Sequence, residues 1–337
     1  MAFCETLKLE KGMYNVAGQS FTKVLEKLDP SENYKGTELE GLDAYQRQLK
    51  RFDIKVSGPG CDTIEKFFST PDSAVLFPEF IARAVKQGMT SSSVLPSITA
   101  ANSNSDGLDF RPISLTLESG LANVIPGNEM RTVSVLLKGK SVSLLKHGRV
   151  FSGAYEAMRS QNLDVVAIFL KQIGADIASE QLVDAITALL TGDGTTPDKA
   201  TEISAATAGT LTYADLITLW GSLSPYNLSG MIANVTTMKD ILGLAEMKDA
   251  HAGLNFQGTG KLITPIGSEL IVAPSLAGLG NKKIIGFDKE FALQMIKFGE
   301  VDIDYDKVID RQLERAGVSV ISGFSRIFKD AVKVLTY

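Results

Sequence analysis

Residues able to do acid, base or metal chemistry are few in this chain of 337 residues. It contains only two histidines, His147 and His251, and neither has a second histidine or a cysteine at zinc-site spacing. Both are expected to be surface or loop residues. Cys4 and Cys61 fit free thiols of a reducing compartment better than a disulfide. The sequence therefore predicts neither a zinc centre nor histidine-based catalysis.

Two glycine-rich runs match the motifs of nucleotide-binding loops only in part. Gly258-Thr259-Gly260-Lys261 lacks the first glycine and the final hydroxyl residue of a phosphate-binding loop. Gly278-Leu279-Gly280 lacks the third glycine of a dinucleotide fingerprint, because Lys283 occupies that position. No serine lies in the G-x-S-x-G frame of a hydrolase nucleophile. We interpret both runs as turns.

The acidic residues do not form a recognisable cation site either. Asp302, Asp304 and Asp306 alternate along a predicted strand and could offer oxygen ligands to calcium. No glycine turn or terminal glutamate completes a calcium-binding loop, so a solvated strand face is the better interpretation. Asp193 lies between two glycines and is interpreted as a turn residue. We predict that the protein is not an enzyme and binds no cofactor or metal.

Composition indicates a globular protein. Hydrophobic side chains make up 44% of the chain and charged ones 22%, which allows a substantial core in two lobes. A formal net charge of -5 supplies no basic field that would hold nucleic acid or an anionic membrane tightly. The N-terminus lacks the apolar run of a secretory signal, and polar residues interrupt the longest uncharged stretch. We expect a soluble, cytoplasmic protein.

The element that must organise the fold is one long helix between Gln161 and Gly194. Apolar residues recur there at three- and four-residue steps until a Gly-Asp-Gly stop. A helix of roughly thirty residues spans about 45 Å, longer than a small domain, so other elements must pack along it. The pattern places Phe169 and Ile173 on the buried face, where a charge would unfold the protein.

Between Leu108 and Lys146 the hydrophobic period changes to two, and a cluster of glycine, asparagine and proline interrupts it. This pattern predicts a long β-hairpin with a loose tip. Two interpretations stand. The hairpin is an exposed arm that lies on a partner subunit, or its strands belong to an ordinary compact sheet.

The segments before the hairpin have weaker signals. Residues 1–70 carry short helical patches and too little apolar content for an independent core. Residues 71–88 are predicted to be extended as far as Pro78 and then helical, with a stop at Gly88. The polar stretch 90–107 is predicted to be a mobile arm or linker, unless a neighbouring chain orders it.

The segments after the long helix predict a second lobe of mixed structure. Helices are expected at Tyr213 to Ser222 and Thr236 to Leu244, with a strand between them and glycine-rich strands after them. Residues 298–337 contain three alternating apolar runs. We expect these three strands to return to the long helix and form a sheet against it.

The order of elements is similar to that of a known family. The run LKGKSVSLLKHGRVFSGAYEAM feeds a helix that ends ALLTGDGTTP, and the segment PDSAVLFPEFIARAVKQG precedes the hairpin. This arrangement resembles the major capsid proteins of tailed bacteriophages, which share their fold with encapsulins. The resemblance implies an α+β fold with six segments: N-terminal extension, possibly scaffold-like, 1–70; N-terminal arm 71–107; extended loop 108–147; peripheral domain with spine helix 148–210; axial domain 211–297; peripheral return strands 298–337.

The resemblance also implies a function. Pentamers and hexamers would self-assemble into the icosahedral head of a virion, assembled in the bacterial cytoplasm around double-stranded DNA held by weak contacts. Portal, scaffold or decoration proteins are the implied partners. The alternative is an encapsulin-type shell around cargo enzymes; a third hypothesis is an enzyme or binding module of another fold. Some family members crosslink a loop lysine to an asparagine. Lys138 and Lys140 fit the lysine, but no asparagine follows Asn281.

Overall fold

The computed structural model describes residues 7–15, 19–117, 133–154, 160–192, 198–248, 262–308 and 313–337. The chain divides into two units, each built from three separate segments. The first unit comprises Met1–Ser93, Lys146–Ala178 and Gly299–Ile321. The second comprises Val94–Leu145, Ser179–Phe298 and Ser322–Tyr337.

Helices and strands alternate irregularly along the described residues. The helices are α1 (Phe21–Leu28), α2 (Ala44–Arg51), α3 (Pro71–Ala74), α4 (Phe77–Ser92), α5 (Leu95–Ile98), α6 (Leu163–Thr191), α7 (Tyr213–Ser222), α8 (Val235–Gly243) and α9 (Ala245–Lys248). The strands are β1 (Thr99–Ser105), β2 (Asp109–Phe110), β3 (Ile113–Leu117), β4 (Val133–Leu137), β5 (Val142–Ser143), β6 (Leu145–Ala154), β7 (Thr201–Ser204), β8 (Gly230–Ala233), β9 (Glu269–Val272), β10 (Lys283–Phe287), β11 (Leu293–Val308), β12 (Leu313–Arg326) and β13 (Val332–Thr336).

Helix α6 confirms the predicted long helix and contributes residues to a core of each unit. Its first half buries Leu163, Val166, Leu170 and Ile177 in the core of the first unit. Its second half contributes to a core of the second unit through the following residues: Leu182, Ala185, Ile186, Ala188 and Leu189. The predicted burial of Phe169 is wrong, because that side chain is 58% exposed.

The N-terminal extension is part of the first unit's core, although its helices were expected to be appended. Helix α2 begins with a capping box between Asp43 and Gln46, and α1 buries Phe21 and Leu25. Both helices share one core with α4 and α6. The segment has too little apolar content for a core of its own, so it completes a core with residues from elsewhere in the chain.

A buried ion pair connects α2 to the end of α1. Arg47 donates from Nε to Asp29 Oδ2 at 2.8 Å, and both side chains are fully buried. The Tyr34 hydroxyl donates to the other oxygen of Asp29 at 2.6 Å, and Arg47 also donates to the Leu42 carbonyl at 2.7 Å. A buried charge is tolerated only when it is paired and hydrogen-bonded in this way.

Helix α4 does not stop at Gly88, and residues 71–76 are not extended. The capping box of Thr70 and Ser73 starts α3, and α4 follows with Pro78 in its first turn, where proline is tolerated. Gly88 lies where α4 crosses α6. A Cβ at Gly88 would be 2.1 Å from the Lys171 carbonyl oxygen, and one at Gly174 would be 2.2 Å from the Val85 oxygen. The glycine therefore permits a close helix crossing and does not end the helix.

The stretch predicted as a mobile arm, residues 90–107, is largely ordered. Helix α5 buries Leu95 and Ile98, and β1 pairs in parallel with β11 from Thr99↔Leu293 to Ser105↔Phe298. Backbone pairing orders these polar residues. Their side chains do not show the apolar alternation that predicts a strand, so the sequence did not indicate the pairing. Strands β1, β11, β12 and β6 form one sheet in that order.

A five-stranded sheet of order β7-β13-β10-β8-β9 forms the centre of the second unit. Helices α7 and α8 pack on one face, and the second half of α6 packs on the other. The prediction that all three tail strands share a sheet against α6 is wrong for β13. This strand lies between β10, to which it is antiparallel, and β7, to which it is parallel. Val332 and Val334 face the α6 side, whereas Leu335 faces the other core.

Candidate assembly interface

The β3–β4 hairpin is a two-stranded sheet of its own, so the compact-sheet interpretation is wrong for these strands. Its register runs from Ile113↔Leu137 to Leu117↔Val133, and the residues between 117 and 133 lie outside the described part of the chain. The Lys138 amide donates to the Pro112 carbonyl at 2.8 Å and closes the base. The residue before β3 and the residue after β4 are thus joined by a hydrogen bond.

The hairpin exposes apolar side chains on both of its faces. Ile113, Val135, Leu136 and Leu137 are all exposed, and Leu137 retains 67% of its surface. Residues 135 to 137 are consecutive, and consecutive strand residues point to opposite faces. An isolated hairpin is marginally stable in water, and clustered exposed apolar residues mark interaction surfaces. This ribbon therefore has the properties of a surface that another molecule covers.

A second apolar surface lies on α6. Val165, Ile168 and Phe169 are exposed at the three- and four-residue spacing of one helix face, and Ile168 is 65% exposed. Gln172 and Asp176 continue the face, and their side chains are hydrogen-bonded at 3.0 Å. We call residues 165, 168 and 169 the apolar stripe. The sequence indicates this second surface, because α6 has more apolar residues than one buried helix face accommodates.

Ion pairs join three elements of the first unit near the start of α1. Lys23 Nζ lies 3.1 Å from one oxygen of Glu300, and Lys86 Nζ lies 3.8 Å from the other. The hydrogen bond from Lys23 holds the pKa of Glu300 below its usual value, against the opposing effect of partial burial. These exposed pairs help to orient α1, α4 and β11, and they contribute little stability.

The residues considered for chemistry are not brought together. Asp302, Asp304 and Asp306 are exposed, as expected for a solvated strand face, while His147 is half-buried in β6. Cys61 is a free thiol. Within the described residues, no group of three acidic, histidine or cysteine side chains is placed to hold a metal ion. Outside the described residues lie several other candidates: Cys4, Asp193, His251 and Gly258 to Lys261.

A groove of about 570 Å³ lies in the second unit at the carboxyl ends of β8 and β9. It is lined by Asn234, Val235, Thr236, Val272 and Pro274, among others, and its lining side chains are all without titratable groups. Such a lining cannot perform acid–base catalysis. The nearby run Gly278-Leu279-Gly280 follows a short 3-10 helix, with Gly278 at φ 60°, as a turn requires.

The two lysines considered for crosslinking differ in their surroundings. Lys138 is half-buried, and its Nζ donates to the Arg326 carbonyl of the same chain at 2.9 Å. Lys140 is exposed. The link between Lys138 and Arg326 joins residues far apart in the chain, so spacing in the sequence gave no indication of it.

Comparison with known structures identifies the fold. A virus-like particle from Pyrococcus furiosus aligns with a TM-score of 0.52 and 16% identity, over 76% of this chain and 98% of the other. The capsid of an empty GTA particle aligns with a TM-score of 0.52 and 15% identity, over 73% and 90%. This chain has the tailed-phage capsid fold. A chain of Gordonia phage Cozz also aligns, with a TM-score of 0.51 and 15% identity, over 73% of this chain and 86% of the other.

Sequence comparison adds no nearer relative. No family model matches the chain, and no curated protein matches it. Among the helices of the described residues, none combines the length and apolar character needed to cross a bilayer.

Proposed function

We propose that this protein is the major capsid subunit of a tailed phage. Its pentamers and hexamers close into an icosahedral head around double-stranded DNA, within the host cytoplasm, with a portal and with scaffold or decoration proteins as further partners. The observation that carries the proposal is an apolar hairpin left uncovered on a chain with the capsid fold.

The hairpin is the donor half of the contact between subunits. Its exposed side chains would each remove apolar surface from water on docking, at roughly 25 cal/mol per Å². A closed shell needs head-to-tail contacts, in which one patch of a subunit meets a different patch of the next. A hairpin that cannot cover its own apolar residues is suited to that arrangement.

The apolar stripe of α6 is the acceptor half in this proposal. Val165, Ile168 and Phe169 form a face that no described element of the first unit covers. It is matched to the hairpin in chemistry, since both surfaces are aliphatic or aromatic. We assign it to the hairpin of a neighbouring copy.

Deleting the hairpin tests the donor role. Because the Lys138 amide already bonds to the Pro112 carbonyl, residues 113–137 can be replaced by a two-residue Asn-Gly turn without strain at the base. We expect a folded subunit with an unchanged thermal midpoint that forms no shells by negative-stain electron microscopy. Shells of normal size from this deletion would refute the proposal.

A milder variant distinguishes the contribution of the hairpin backbone from that of its apolar side chains. Leu136→Ser with Leu137→Ser keeps the hairpin backbone and removes exposed apolar area. We expect closed shells to be lost or strongly reduced, while the matched change Lys140→Ser, at an exposed polar position just beyond the hairpin, leaves assembly intact.

The contents of purified shells separate a phage head from an encapsulin. The formal net charge of -5 suits a wall past which DNA must move without being gripped. We expect nuclease-protected double-stranded DNA in particles from a producing host. A stoichiometric enzyme cargo without DNA would assign the shell to the encapsulin type.

A further inference from the structure

The guanidinium of Arg326 joins the end of α6 to the segment that follows it. Arg326 is 2% exposed, and its Nη1 donates to the Leu189 carbonyl at 3.0 Å. Nη2 lies 2.9 Å from Asp198 Oδ1 and also donates to the Asp198 carbonyl. The last carbonyls of a helix lack partners within the helix, and a cation there is favourable. Arg326 thereby fixes the position of β12 against the helix end.

The side chains of Asp198 and Arg326 pack directly against the backbone of Gly192. Its φ is 60°, and its amide donates to the Ala188 carbonyl at 2.8 Å, which ends the helix in a left-handed turn. A Cβ at this position would be 2.1 Å from Asp198 Oδ2 and 2.6 Å from Arg326 Nη2. The ion pair of Arg326 and Asp198 is therefore in van der Waals contact with the end of α6.

The other side of the same residue holds the base of the hairpin. The Arg326 carbonyl accepts from Lys138 Nζ at 2.9 Å, and Lys138 directly follows β4. The hairpin continues beyond Pro112 and Lys138 as the β2–β5 pair, and we call residues 109–112 and 138–144 the hairpin base. Three residues before Arg326, Gly323 lies against this base: a Cβ there would be 2.5 Å from Leu144 Cδ2 and 3.1 Å from the Ser143 carbonyl oxygen. Strand β12 thus contacts the hairpin base at two points.

We propose that Lys138 and Arg326 form an anchor that fixes the direction in which the hairpin leaves the second unit. The inference rests on the proposed function, because direction matters only if the hairpin must reach a neighbouring copy. Two hydrogen-bonded strands alone can swing about their base, whereas a third attachment outside the ladder removes that freedom. Lys138 and Arg326 are positioning residues, and Lys138 is not a crosslinking residue in this arrangement.

The decisive variant is Lys138→Met, which keeps the length of the side chain and removes the donor. Amide hydrogen exchange of the full-length chain measures opening of the base at residues 109–110, 138 and 142–143. We expect exchange there to be about tenfold faster, since a hydrogen bond from a charged group is lost. Lys140→Met is the matched control and should exchange as the unsubstituted protein does. Lys138→Arg retains a cationic donor and should restore most of the protection.

Assembly is scored in parallel by electron microscopy. Lys138→Met should retain the thermal midpoint of the subunit but give open or irregular particles, whereas Lys140→Met should give closed shells. Unchanged exchange at the base in Lys138→Met would overturn the anchor, and so would normal shells from a variant whose base exchanges faster. If the unsubstituted chain forms no shells at all, the proposed function fails, while the exchange comparison still decides whether the anchor exists.

Discussion

Phe169 and Ile177 lie on the same helix but have opposite surroundings. Ile177 is fully buried in the first unit's core, so Ile177→Asp places an unpaired charge among apolar side chains. We expect it to unfold the first unit, at a cost of more than about 4 kcal/mol. Phe169→Asp changes an exposed side chain and should leave a folded subunit that does not assemble. Circular dichroism and sedimentation velocity distinguish the two results.

The pair also tests the acceptor surface. Normal shells from Phe169→Asp would show that the apolar stripe is not a contact between copies. An unfolded Phe169→Asp would instead show that the fold of the subunit does not tolerate a charge at this position. Half-buried Ile173 lies between the two cases, so it gives a less decisive test.

Asp215 gives the second unit a stability that depends on pH. The carboxylate is 3% exposed and accepts from Thr212 Oγ1 at 2.6 Å, from the Thr212 amide at 2.9 Å and from the Ala206 amide at 2.9 Å. Burial raises the pKa of Asp215, but the hydrogen bonds from Thr212 and Ala206 outweigh it and hold the pKa below its ordinary value. Stability from this group is present above its unfolded-state pKa of about 3.9 and is lost as the pH falls through its folded-state pKa.

Asp215→Asn should therefore destabilise the protein at neutral pH by about 1 to 3 kcal/mol, since an amide cannot replace a carboxylate that accepts three hydrogen bonds. Urea denaturation at pH 7 and pH 3 checks this. The difference between the variant and the unsubstituted protein should be smaller at pH 3. A difference that grows at pH 3 would contradict the assigned sign.

At the scale of elements, the crossing of α4 and α6 leaves no room for a side chain at Gly88. Gly88→Ala would bring a methyl group to 2.1 Å from the Lys171 carbonyl oxygen, so the helices must separate. We expect a loss of about 1 to 3 kcal/mol in the free energy of unfolding, measured by urea denaturation. Gly221→Ala in α7 is the control, because its Cβ meets no atom within 4 Å. It should be neutral or stabilising by up to about 1 kcal/mol.

Elements with a strong local pattern could be predicted from the sequence. Helix α6, helix α7 and the two strands of the hairpin were expected within a few residues of their observed bounds. Elements decided by distant partners could not be. Gly88 is of the residue type that commonly ends a helix. In this chain its lack of a side chain lets α6 cross close to α4, and α4 continues past it. Strand β1 has a polar sequence and is ordered by β11, while β13 has an apolar pattern that fits either sheet.

The candidate interface was predictable in part for the same reason. The alternating pattern predicted the two strands, but it left open whether they form an exposed arm or part of a compact sheet. Phe169 was assigned to the buried face, because helical periodicity gives spacing and not which of two apolar faces is covered. The anchor of Lys138 and Arg326 has no local signal, since neither residue is unusual in its own segment.

At the scale of the whole molecule, the N-terminal extension shares the core of the first unit. Deleting residues 2–70 would remove Phe21, Leu25, Tyr45 and Phe67 from a shared core and expose the residues they cover on α4 and α6. We expect the truncated chain to be insoluble. Particles assembled from the full chain should retain this segment, which mass spectrometry of the purified shells checks. A soluble, folded truncation would show that the extension is dispensable, as a removable scaffold segment would be.

The anchor also has a consequence for the timing of folding on the ribosome. The residues of the hairpin and of α6 are synthesised before the elements that hold them. Arg326, which holds the hairpin base, and β13, which fills the centre of the five-stranded sheet, both come much later in the chain. A nascent chain therefore contains the hairpin before it contains Arg326, which completes the anchor. Under the proposed function, we expect this order of synthesis to keep unfinished chains from joining a growing shell.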